Sequence, residues 1–285
     1  MILIVNGEGV IMPELPEVET IVRGLRKVIV GQKIKEVEIQ ESKLIKFPEK
    51  NSFINGVTKS IINSVTRRGK YLIIKLSNQK DLILHLAMTG QLLIKNRAEE
   101  IKKHTHVIFR FETGQDLRFN NVRKFGRIYL VNTEEWDQIN CLNKMGPEPL
   151  ADDFTFDDFK KRFKRRTTAI KSLLLKQDFL AGLGNIYTDE ALFKAGIAPT
   201  RGADTLTDNE KKKLFTSIKE VLKLGIKFCG TSVSDYVNIE GEAGFFQEKL
   251  KVYQKGGEDC PHCGQEIVKE KIGGRSSHYC PDCQE

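Results

Sequence analysis

The sequence predicts an α+β protein of more than one domain, with a strand-rich first half, a helical part after it and a zinc ribbon at the C-terminus. Its 285 residues lie near the size at which a single hydrophobic core stops growing and chains divide into domains. Short apolar runs fill the chain between residues 37 and 131, and a helical period replaces them after residue 150. Two Cys-x-x-Cys pairs close the sequence.

Composition excludes several classes of protein. Hydrophobic residues make up 40% of the chain and charged residues 29%, so it can bury a core and is neither disordered nor fibrous. No apolar run approaches the ~18 residues of a membrane span, and the first residues lack the basic flank and cleavage site of a secretory signal. We therefore expect a cytoplasmic protein without membrane contact.

The charge balance favours an anionic partner. Lysine and arginine number 46 against 38 acidic residues, a formal charge of +8, although a solvated basic surface explains this number about as well. The basic residues are clustered beside glycine and aromatic residues, a pattern typical of phosphate contacts. The clusters are the stretch 160–176, the group Arg67, Arg68 and Lys70, and the group Arg118, Arg123, Lys124 and Arg127.

The first half of the chain predicts one helix and then strands. Apolar residues recur at helical spacing from Pro16 to Gly31, where the glycine is a natural C-terminal stop. Beyond it, alternation and short apolar runs predict antiparallel strands of a sandwich or barrel. These strands are expected at 37–39, 71–76, 82–87, 91–94, 107–111 and 127–131. The segment Met145–Leu150 carries a glycine and two prolines and predicts a domain boundary.

Residues from about 150 to 230 are predicted to be helical. The clearest signal is the capping box of Thr207 and Glu210 ahead of an amphipathic run. Earlier, the turn from Gly182 to Asn185 follows basic residues and precedes a predicted helix at 186–194, whose free N–H groups suit a phosphate. The two glycines of this turn fit close packing between helices as well as a helix-turn-helix inserted into a groove, and both interpretations stay open.

Four of the six cysteines have the spacing of a zinc ribbon. Cys260 and Cys263 form one pair, Cys280 and Cys283 the other, and sixteen residues separate the pairs. Such pairs hold Zn²⁺ tetrahedrally, and because all four positions are filled the ion should be structural. Disulfides are improbable in a cytosolic chain. The remaining cysteines, Cys141 and Cys229, are expected to be buried small hydrophobic residues.

Two turns carry side chains suited to replacing a missing base. Phe125 beside Arg123 can insert into a base stack as a wedge, although a solvated loop is the ordinary interpretation of such a turn. Met88 would by default belong to a core, but its place where a strand meets a turn makes it a second candidate wedge.

These motifs together resemble bacterial formamidopyrimidine-DNA glycosylase. The likeness covers residues 12 to 285, and several separated motifs agree in order and spacing. They are Met12-Pro13-Glu14-Leu15-Pro16-Glu17, Arg68-Gly69-Lys70-Tyr71, His85-Leu86-Ala87-Met88-Thr89-Gly90, Arg123-Lys124-Phe125-Gly126, Gly184-Asn185-Ile186-Tyr187 and Gly274-Arg275 with the four cysteines. Val122, Lys124 and Met145 depart from the residues common in the family, at positions outside the implied chemistry.

The resemblance implies a fold and an activity. The fold is an N-terminal two-layer β-sandwich with flanking helices, a helix-two-turn-helix domain and a C-terminal zinc finger, with DNA bound between the halves. The activity is removal of 8-oxoguanine and ring-opened purines from damaged double-stranded DNA, followed by β,δ-elimination at the abasic site. We take the protein to be a monomer with domains at 12–145, 146–242 and 243–285.

The resemblance also implies the catalytic residues. Pro13 matches the family's nucleophile, the secondary amine of an N-terminal proline; a terminal amine, with a pKa of about 8, is far less protonated at neutral pH than a lysine. Glu14 matches the catalytic carboxylate and Glu17 a supporting one, although acidic residues in a first helical turn are also ordinary dipole partners. Lys70 matches the lysine that reaches the lesion and its phosphate.

The remaining implied contacts are to DNA. Asn185 and Arg275 match residues that bind the phosphates flanking the flipped nucleotide. The resemblance also implies a catalytic role for Arg275. Because residues 250–285 hold five basic and six acidic side chains, bulk charge cannot make this finger bind DNA. Met88, Arg123 and Phe125 match the side chains that fill the gap left by the base. The resemblance also implies that His85 binds DNA.

One feature conflicts with this chemistry. Residues 1–11 precede Met12, and a proline nitrogen inside a chain is an amide without a nucleophilic lone pair. We expect Met12 to be the true start, removed to expose Pro13, and residues 1–11 to be a mis-assigned upstream extension.

Two other functions are considered. An endonuclease VIII-like glycosylase would prefer oxidised pyrimidines; Leu15 and the Arg123-Lys124-Phe125 turn favour the purine enzyme. A non-catalytic zinc-ribbon DNA-binding protein would need only the basic helices and the finger, and it would neither cleave DNA nor form a covalent adduct.

Overall fold

A computed structural model of the chain describes residues 12–137, 139–233 and 235–285. The predicted extension, residues 1–11, lies outside them. The helices are α1 (Leu15–Ile29), α2 (Lys50–Val57), α3 (Asn140–Asn143), α4 (Phe156–Lys161), α5 (Ile170–Leu174), α6 (Asn185–Ala195) and α7 (Asp208–Lys227). The strands are β1 (Ile34–Ile39), β2 (Ile45–Phe47), β3 (Ile62–Arg68), β4 (Tyr71–Leu76), β5 (Lys80–His85), β6 (Gly90–Asn96), β7 (Thr105–Phe111), β8 (Gln115–Asn121), β9 (Arg127–Asn132), β10 (Val268–Ile272) and β11 (Arg275–Tyr279).

Two sheets form the first half of the molecule. One has four strands in the order β1-β7-β8-β6, and the other has five in the order β2-β9-β5-β4-β3. Neighbouring strands are antiparallel except β2 and β9, which are parallel. Apolar residues of both sheets and of α1 form one buried core, to which Val18, Leu72 and Phe109 belong. The predicted α+β fold with an N-terminal β-sandwich is thus confirmed.

Strand β4 shows why the apolar runs predicted strands. Because side chains alternate between the faces of a sheet, Leu72, Ile74 and Leu76 join the sandwich core. Tyr71 and Ile73 point to the other face, where they pack in a second buried cluster with Ile139 and Leu142 around α3. A strand buried on both faces appears in the sequence as a continuous apolar run.

In the first half of the chain, the predicted strands left out β2, β3 and β8, and helix α2 was not predicted either. Strand β8 carries Asp116, Arg118, Asn120 and Asn121, all of them buried and polar. Paired buried polar residues interrupt the apolar alternation by which a strand is detected. Strand β3 is at an edge of its sheet, and only Ile62 and Val65 are buried.

The helical part forms around a separate core. Helices α4 to α7 contribute Phe159, Leu173, Tyr187 and Leu214, and Leu15 of α1 joins them from the first half. The predicted capping box is present, since Thr207 Oγ1 accepts from the N–H of Glu210 at the start of α7. In the described part of the chain, no helix is both long enough and apolar enough to cross a bilayer.

The C-terminal hairpin of β10 and β11 packs on the helical domain. Gly273 and Gly274 form its turn with φ of 56° and 82°, values that favour glycine. A buried ion pair holds the hairpin in place: Lys171 Nζ lies 2.6 Å from Asp189 Oδ1 and donates to the carbonyl of Ser276 at 2.7 Å. Arg275, next to the turn, is therefore presented from a fixed position.

Candidate active site

A cleft of about 310 Å³ lies where the three parts of the molecule meet. Residues from all three parts line it, so the structure brings together side chains that are far apart in the sequence. The predicted site residues among them are Glu14, Lys70, Met88, Asn185 and Arg275. Pro13 is buried beside them, between Met12, which also lines the cleft, and Glu14.

Glu14 is held at the N-terminus of α6. Its Oε2 atom accepts from the N–H of Gly184 at 2.8 Å, and its Oε1 atom accepts from the N–H of Ile186 at 2.9 Å. Free amides and the helix dipole favour a negative charge at such a position. Burial has the larger effect, and it raises the pKa of Glu14 to about 7 against the opposing charge of Lys70. Glu14 can therefore hold or release a proton near neutral pH.

Glu17 supports Glu14 from the first turn of α1. One of its oxygens accepts from the N–H of Glu14 at 2.8 Å, and the other accepts from the Tyr187 hydroxyl at 2.6 Å and the N–H of Thr231 at 2.7 Å. Burial raises the pKa of Glu17, while these hydrogen bonds act in the opposite direction. Glu17 thereby fixes the backbone at Glu14 and joins α1 to α6 and to the segment after α7.

Lys70 projects from the turn between β3 and β4. Burial lowers the pKa of its ammonium group, and the charges of Glu14 and Glu17 raise it. The carboxylate of Glu148, in the linker between the domains, accepts from the N–H of Gly69 and pairs with Arg67 and Arg68. The linker therefore holds the Lys70 turn against the helical part.

His85 lies beside this turn rather than among the side chains that line the cleft. Its ring is 4.6 Å from that of Tyr71, and its Nδ1 accepts from the N–H of Ala87. Burial and the charges of Lys70 and Arg127 lower the pKa of His85 to about 4. The ring is therefore neutral at pH 7, with Nε2–H as the donor it can offer to a phosphate.

Asn185 and Arg275 meet across the border between the helical part and the hairpin. Asn185 Nδ2 donates to the carbonyl of Ser276 at 2.9 Å, directly next to Arg275. Arg275 itself is exposed and lines the cleft. The pair forms an edge at which a cation and an amide are available to one anionic ligand.

Met88, Arg123 and Phe125 form a contiguous group on two neighbouring turns. The guanidinium carbon of Arg123 lies 5.4 Å from the centroid of the Phe125 ring, and its Nη1 lies 3.8 Å from the sulfur of Met88. Phe125 is 54% exposed, one of several large hydrophobic side chains that the described residues leave at the surface. Met88 is partly buried, so it is neither a core residue nor fully solvated.

The four predicted zinc ligands converge. Their sulfurs lie within 4.8 Å of one another, with Cys260 Sγ 3.8 Å from Cys283 Sγ and Cys263 Sγ 3.5 Å from Cys280 Sγ. A tetrahedral zinc with Zn–S bonds of about 2.3 Å places sulfurs roughly 3.8 Å apart. The thiolates therefore fit one structural Zn²⁺, which would tie the segment before the hairpin to the segment after it.

Comparison with known families identifies all three parts of the chain. Residues 12–128 match the formamidopyrimidine-DNA glycosylase N-terminal domain, residues 145–237 match the H2TH domain of the same family, and residues 257–285 match the zinc finger found in FPG and IleRS. The chain belongs to the formamidopyrimidine-DNA glycosylase family.

Individual relatives agree with this assignment. Formamidopyrimidine-DNA glycosylase of Pelotomaculum thermopropionicum is 47% identical over 273 residues, which cover 96% of this chain and 99% of the relative. A Lactococcus lactis FPG mutant solved with Fapy-dG containing DNA superposes with a TM-score of 0.90 at 38% identity, covering 96% of this chain and all of the other. The MutM (FPG) protein of Thermus thermophilus gives 0.87 at 36% identity, covering 95% and 98%.

Several basic residues of this chain are not free for phosphate contacts, contrary to the prediction from clustering. Arg67 and Arg68 pair with Glu148. Arg118 is 3% exposed and donates to backbone carbonyls of the loop after β6, and Lys171 is fully buried against Asp189. Clustering in the sequence does not distinguish basic side chains that are paired within the protein from those that face solvent.

The expectation for the two remaining cysteines is also wrong. Cys141 and Cys229 are both exposed. Cys141 belongs to the short helix α3 and Cys229 follows the end of α7, so each lies at the edge of a core rather than inside one.

Sequence reasoning missed the groups that hold the two carboxylates. These are the backbone amides of Gly184, Ile186 and Thr231 and the hydroxyl of Tyr187. The glycine-containing turn before α6 did carry a signal, since it predicted an anion at this helix N-terminus. The anion it binds in this structure is Glu14 of the same chain.

Proposed function

We propose that this protein is a base-excision repair DNA glycosylase and abasic-site lyase that removes 8-oxoguanine and formamidopyrimidines from duplex DNA. The observation that carries the proposal is the buried Glu14 carboxyl beside Pro13, in a cleft shared with Lys70, Asn185 and Arg275. A carboxyl whose pKa is near 7 suits proton transfer at neutral pH. The match to an FPG solved with Fapy-dG containing DNA supports the substrate class.

The proposed nucleophile is the nitrogen of Pro13 in a chain that begins at this residue. The amine attacks C1′ of the lesion nucleotide, the bond from C1′ to the base breaks, and the base leaves with the bonding electrons and a proton. The C1′–O4′ bond of the sugar then breaks, O4′ takes the bonding electrons and a proton from Glu14, and an iminium forms between C1′ and the proline nitrogen. This iminium draws electrons from the adjacent carbon, so the C2′ proton becomes acidic and elimination of the 3′ phosphate follows. A second elimination releases the 5′ phosphate. The match of the family's N-terminal domain from residue 12 onward is consistent with this start.

Glu14 and Glu17 have different proposed roles. Glu14 transfers a proton at the deoxyribose, because it lines the cleft and its pKa lies near neutrality. Glu17 does not line the cleft, and its oxygens accept from Glu14, Tyr187 and Thr231, so it supports the backbone at Glu14 without meeting the substrate.

Cationic and polar groups of the cleft are proposed to bind the DNA backbone around the everted nucleotide. Arg275 and Asn185 contact its flanking phosphates from the finger and the helical domain, and Lys70 reaches the lesion from the β-turn. His85, neutral at pH 7, contributes a hydrogen bond rather than a charge. Met88, Arg123 and Phe125 fill the gap left in the duplex, as their contiguous arrangement suggests.

The same site supports proposals about organisation. We divide the protein into domains at 12–145, 146–242 and 243–285. One chain supplies every group named above, so a monomer suffices for the reaction. The protein is proposed to act in the cytoplasm, at the nucleoid when it is bound to DNA, and its bacterial relatives support this proposal.

The test is excision by the Pro13-start protein from duplexes that carry 8-oxoguanine opposite cytosine or thymine glycol. The proposal predicts cleaved product from 8-oxoguanine and much slower cleavage at thymine glycol. Glu14→Gln should lower the rate by at least about 100-fold, the scale of general acid–base catalysis. Glu49→Gln, at an exposed glutamate, is the matched control. Preference for thymine glycol would indicate an endonuclease VIII-like enzyme, and DNA binding without cleavage a non-catalytic protein.

A further inference from the structure

Thr89 joins the two turns that carry the exposed wedge group of Met88, Arg123 and Phe125. It follows Met88 in the turn between β5 and β6. Its hydroxyl donates to Oδ1 of Asn121 at 3.1 Å and accepts from the N–H of Arg123 at 3.0 Å. Both Thr89 and Asn121 are buried, at 6% and 0% exposure. The hydroxyl therefore donates its proton to Asn121, at the end of β8, and accepts a proton from Arg123, in the second turn.

The second turn needs such support. Lys124, between Arg123 and Phe125, has a φ of 54°, in the left-handed region that side chains other than glycine rarely adopt. Because the Phe125 ring is 54% exposed, we infer that the backbone of the turn largely sets its direction. The hydrogen bond from the N–H of Arg123 to Thr89 ties this backbone to the Met88 turn.

We propose that Thr89 is a positioning residue that aligns Met88, Arg123 and Phe125 before DNA arrives. This inference rests on the proposed glycosylase function, in which these side chains replace the everted base. Preorganisation lowers the ordering cost that a flexible wedge would meet on entering a base stack. The hydroxyl acts through the backbone and touches neither the substrate nor the reacting atoms.

The test compares Thr89→Val with Thr89→Ser in the Pro13-start protein. Valine has the shape of threonine without the hydroxyl, and serine keeps the hydroxyl. Base eversion is followed by the fluorescence of 2-aminopurine placed next to 8-oxoguanine, and excision by single-turnover kinetics. We expect Thr89→Val to slow eversion and excision about tenfold, the effect of leaving a buried acceptor and an amide unpaired. Thr89→Ser should restore both rates to within about twofold.

A matched control separates positioning from folding. Thr105 is 1% exposed and donates to Oδ1 of Asn120, the neighbour of Asn121, at 2.7 Å. Thr105→Val thus removes a comparable buried hydrogen bond to the same strand, β8, without touching the Arg123 turn. It should lower the melting temperature to a similar degree while leaving the eversion rate unchanged.

Two further measurements keep the proposal open to contradiction. In a Phe125→Ala background, Thr89→Val should add little to the eversion defect, because the wedge it positions is gone. Should Thr89→Val fail to fold, Thr89→Ala is used in the same comparison. The inference is overturned if wild-type protein excises 8-oxoguanine and Thr89→Val everts it at the wild-type rate, or if Thr89→Val and Phe125→Ala have fully additive effects. Failure of the wild-type protein itself to excise would instead contradict the proposed function.

Discussion

The carboxylate of Glu14 accepts a hydrogen bond from the backbone N–H of Gly184, 170 residues further along the chain, at 2.8 Å. This contact joins the start of α1 to the start of α6, so the site exists only when the two domains are assembled. Gly184 permits the approach because it lacks a side chain: a Cβ there would lie 2.3 Å from Cδ of Glu14. The position of the carboxylate therefore depends on the glycine.

Gly184→Ala should displace Glu14 and remove most excision activity. A methyl group cannot share that space, so the carboxylate must move away from the amides of α6. We expect the single-turnover excision rate to fall at least about 100-fold, as for loss of a general acid–base group. Affinity for a duplex with an abasic-site analogue should change little, because Lys70 and Arg275 remain. Excision near the wild-type rate would show that Glu14 does not need the hydrogen bonds from the start of α6.

Glu14→Gln should stabilise the 285-residue chain at alkaline pH relative to wild type. Burial raises the pKa of Glu14 from 4.5 to about 7, so between these values the folded state keeps a proton that the unfolded state has lost. The contribution of this proton to the free energy of unfolding of the wild-type protein is fully present below pH 4.5. It is lost as the pH rises through 7, and the total loss is about 3 kcal/mol. Urea unfolding of both proteins at several pH values gives this difference. If the difference in the free energy of unfolding between the two proteins does not grow from pH 4.5 to pH 8, the raised pKa of Glu14 is contradicted. Glu49→Gln, at an exposed site, is the control.

Phe125→Ala should affect base eversion rather than the chemistry that follows. Eversion costs least where pairing is already weak, so the variant should lose about tenfold in excision of 8-oxoguanine paired with cytosine and much less at a preformed abasic site. Parallel single-turnover assays on the two duplexes measure this. Phe47→Ala removes another exposed phenylalanine, which lies in β2 and does not line the cleft, and should leave both rates unchanged. Equal losses on the two substrates would argue against a wedge.

Cys280→Ser should release the zinc ion and weaken DNA binding. Three thiolates hold zinc poorly, and a structural zinc supplies much of the folding free energy of so small a unit. We expect bound zinc, measured by atomic absorption, to fall well below one per chain, and affinity for lesion DNA to drop at least about tenfold as Arg275 loses its support. Cys229→Ser, at an exposed cysteine outside the cluster, should change neither quantity. Full zinc occupancy in Cys280→Ser would refute the four-ligand site.

Elements whose burial follows a simple pattern were predictable from the sequence. Strand β4 is a continuous apolar run because both of its faces are covered, and α7 carries its start signal in Thr207 and Glu210. Strand β8 escaped prediction because its interior side chains are polar and find partners on other elements, such as the carbonyls that Arg118 binds. A local pattern carries no information about such distant partners.

The site shows the same division. The zinc cluster was predictable because its four ligands lie in two short motifs whose spacing reflects the metal geometry. The hydrogen bonds that hold Glu14 were not predictable, since Gly184 and Ile186 donate through backbone amides that any residue but proline offers. The ion pairs that occupy Arg67 and Arg68 likewise depend on Glu148, which only the folded chain brings near.

The most direct test of the central claim is borohydride trapping of the protein on a duplex with a single 8-oxoguanine. Two forms are compared, one beginning at Pro13 and one retaining residues 1–11 by design, with Pro13→Gly and Glu14→Gln beside them. A free proline amine predicts a covalent protein–DNA adduct for the first form and none for the second, in which the same nitrogen is an amide. Absence of an adduct with the Pro13-start protein, or equal trapping by the extended form, would contradict the account.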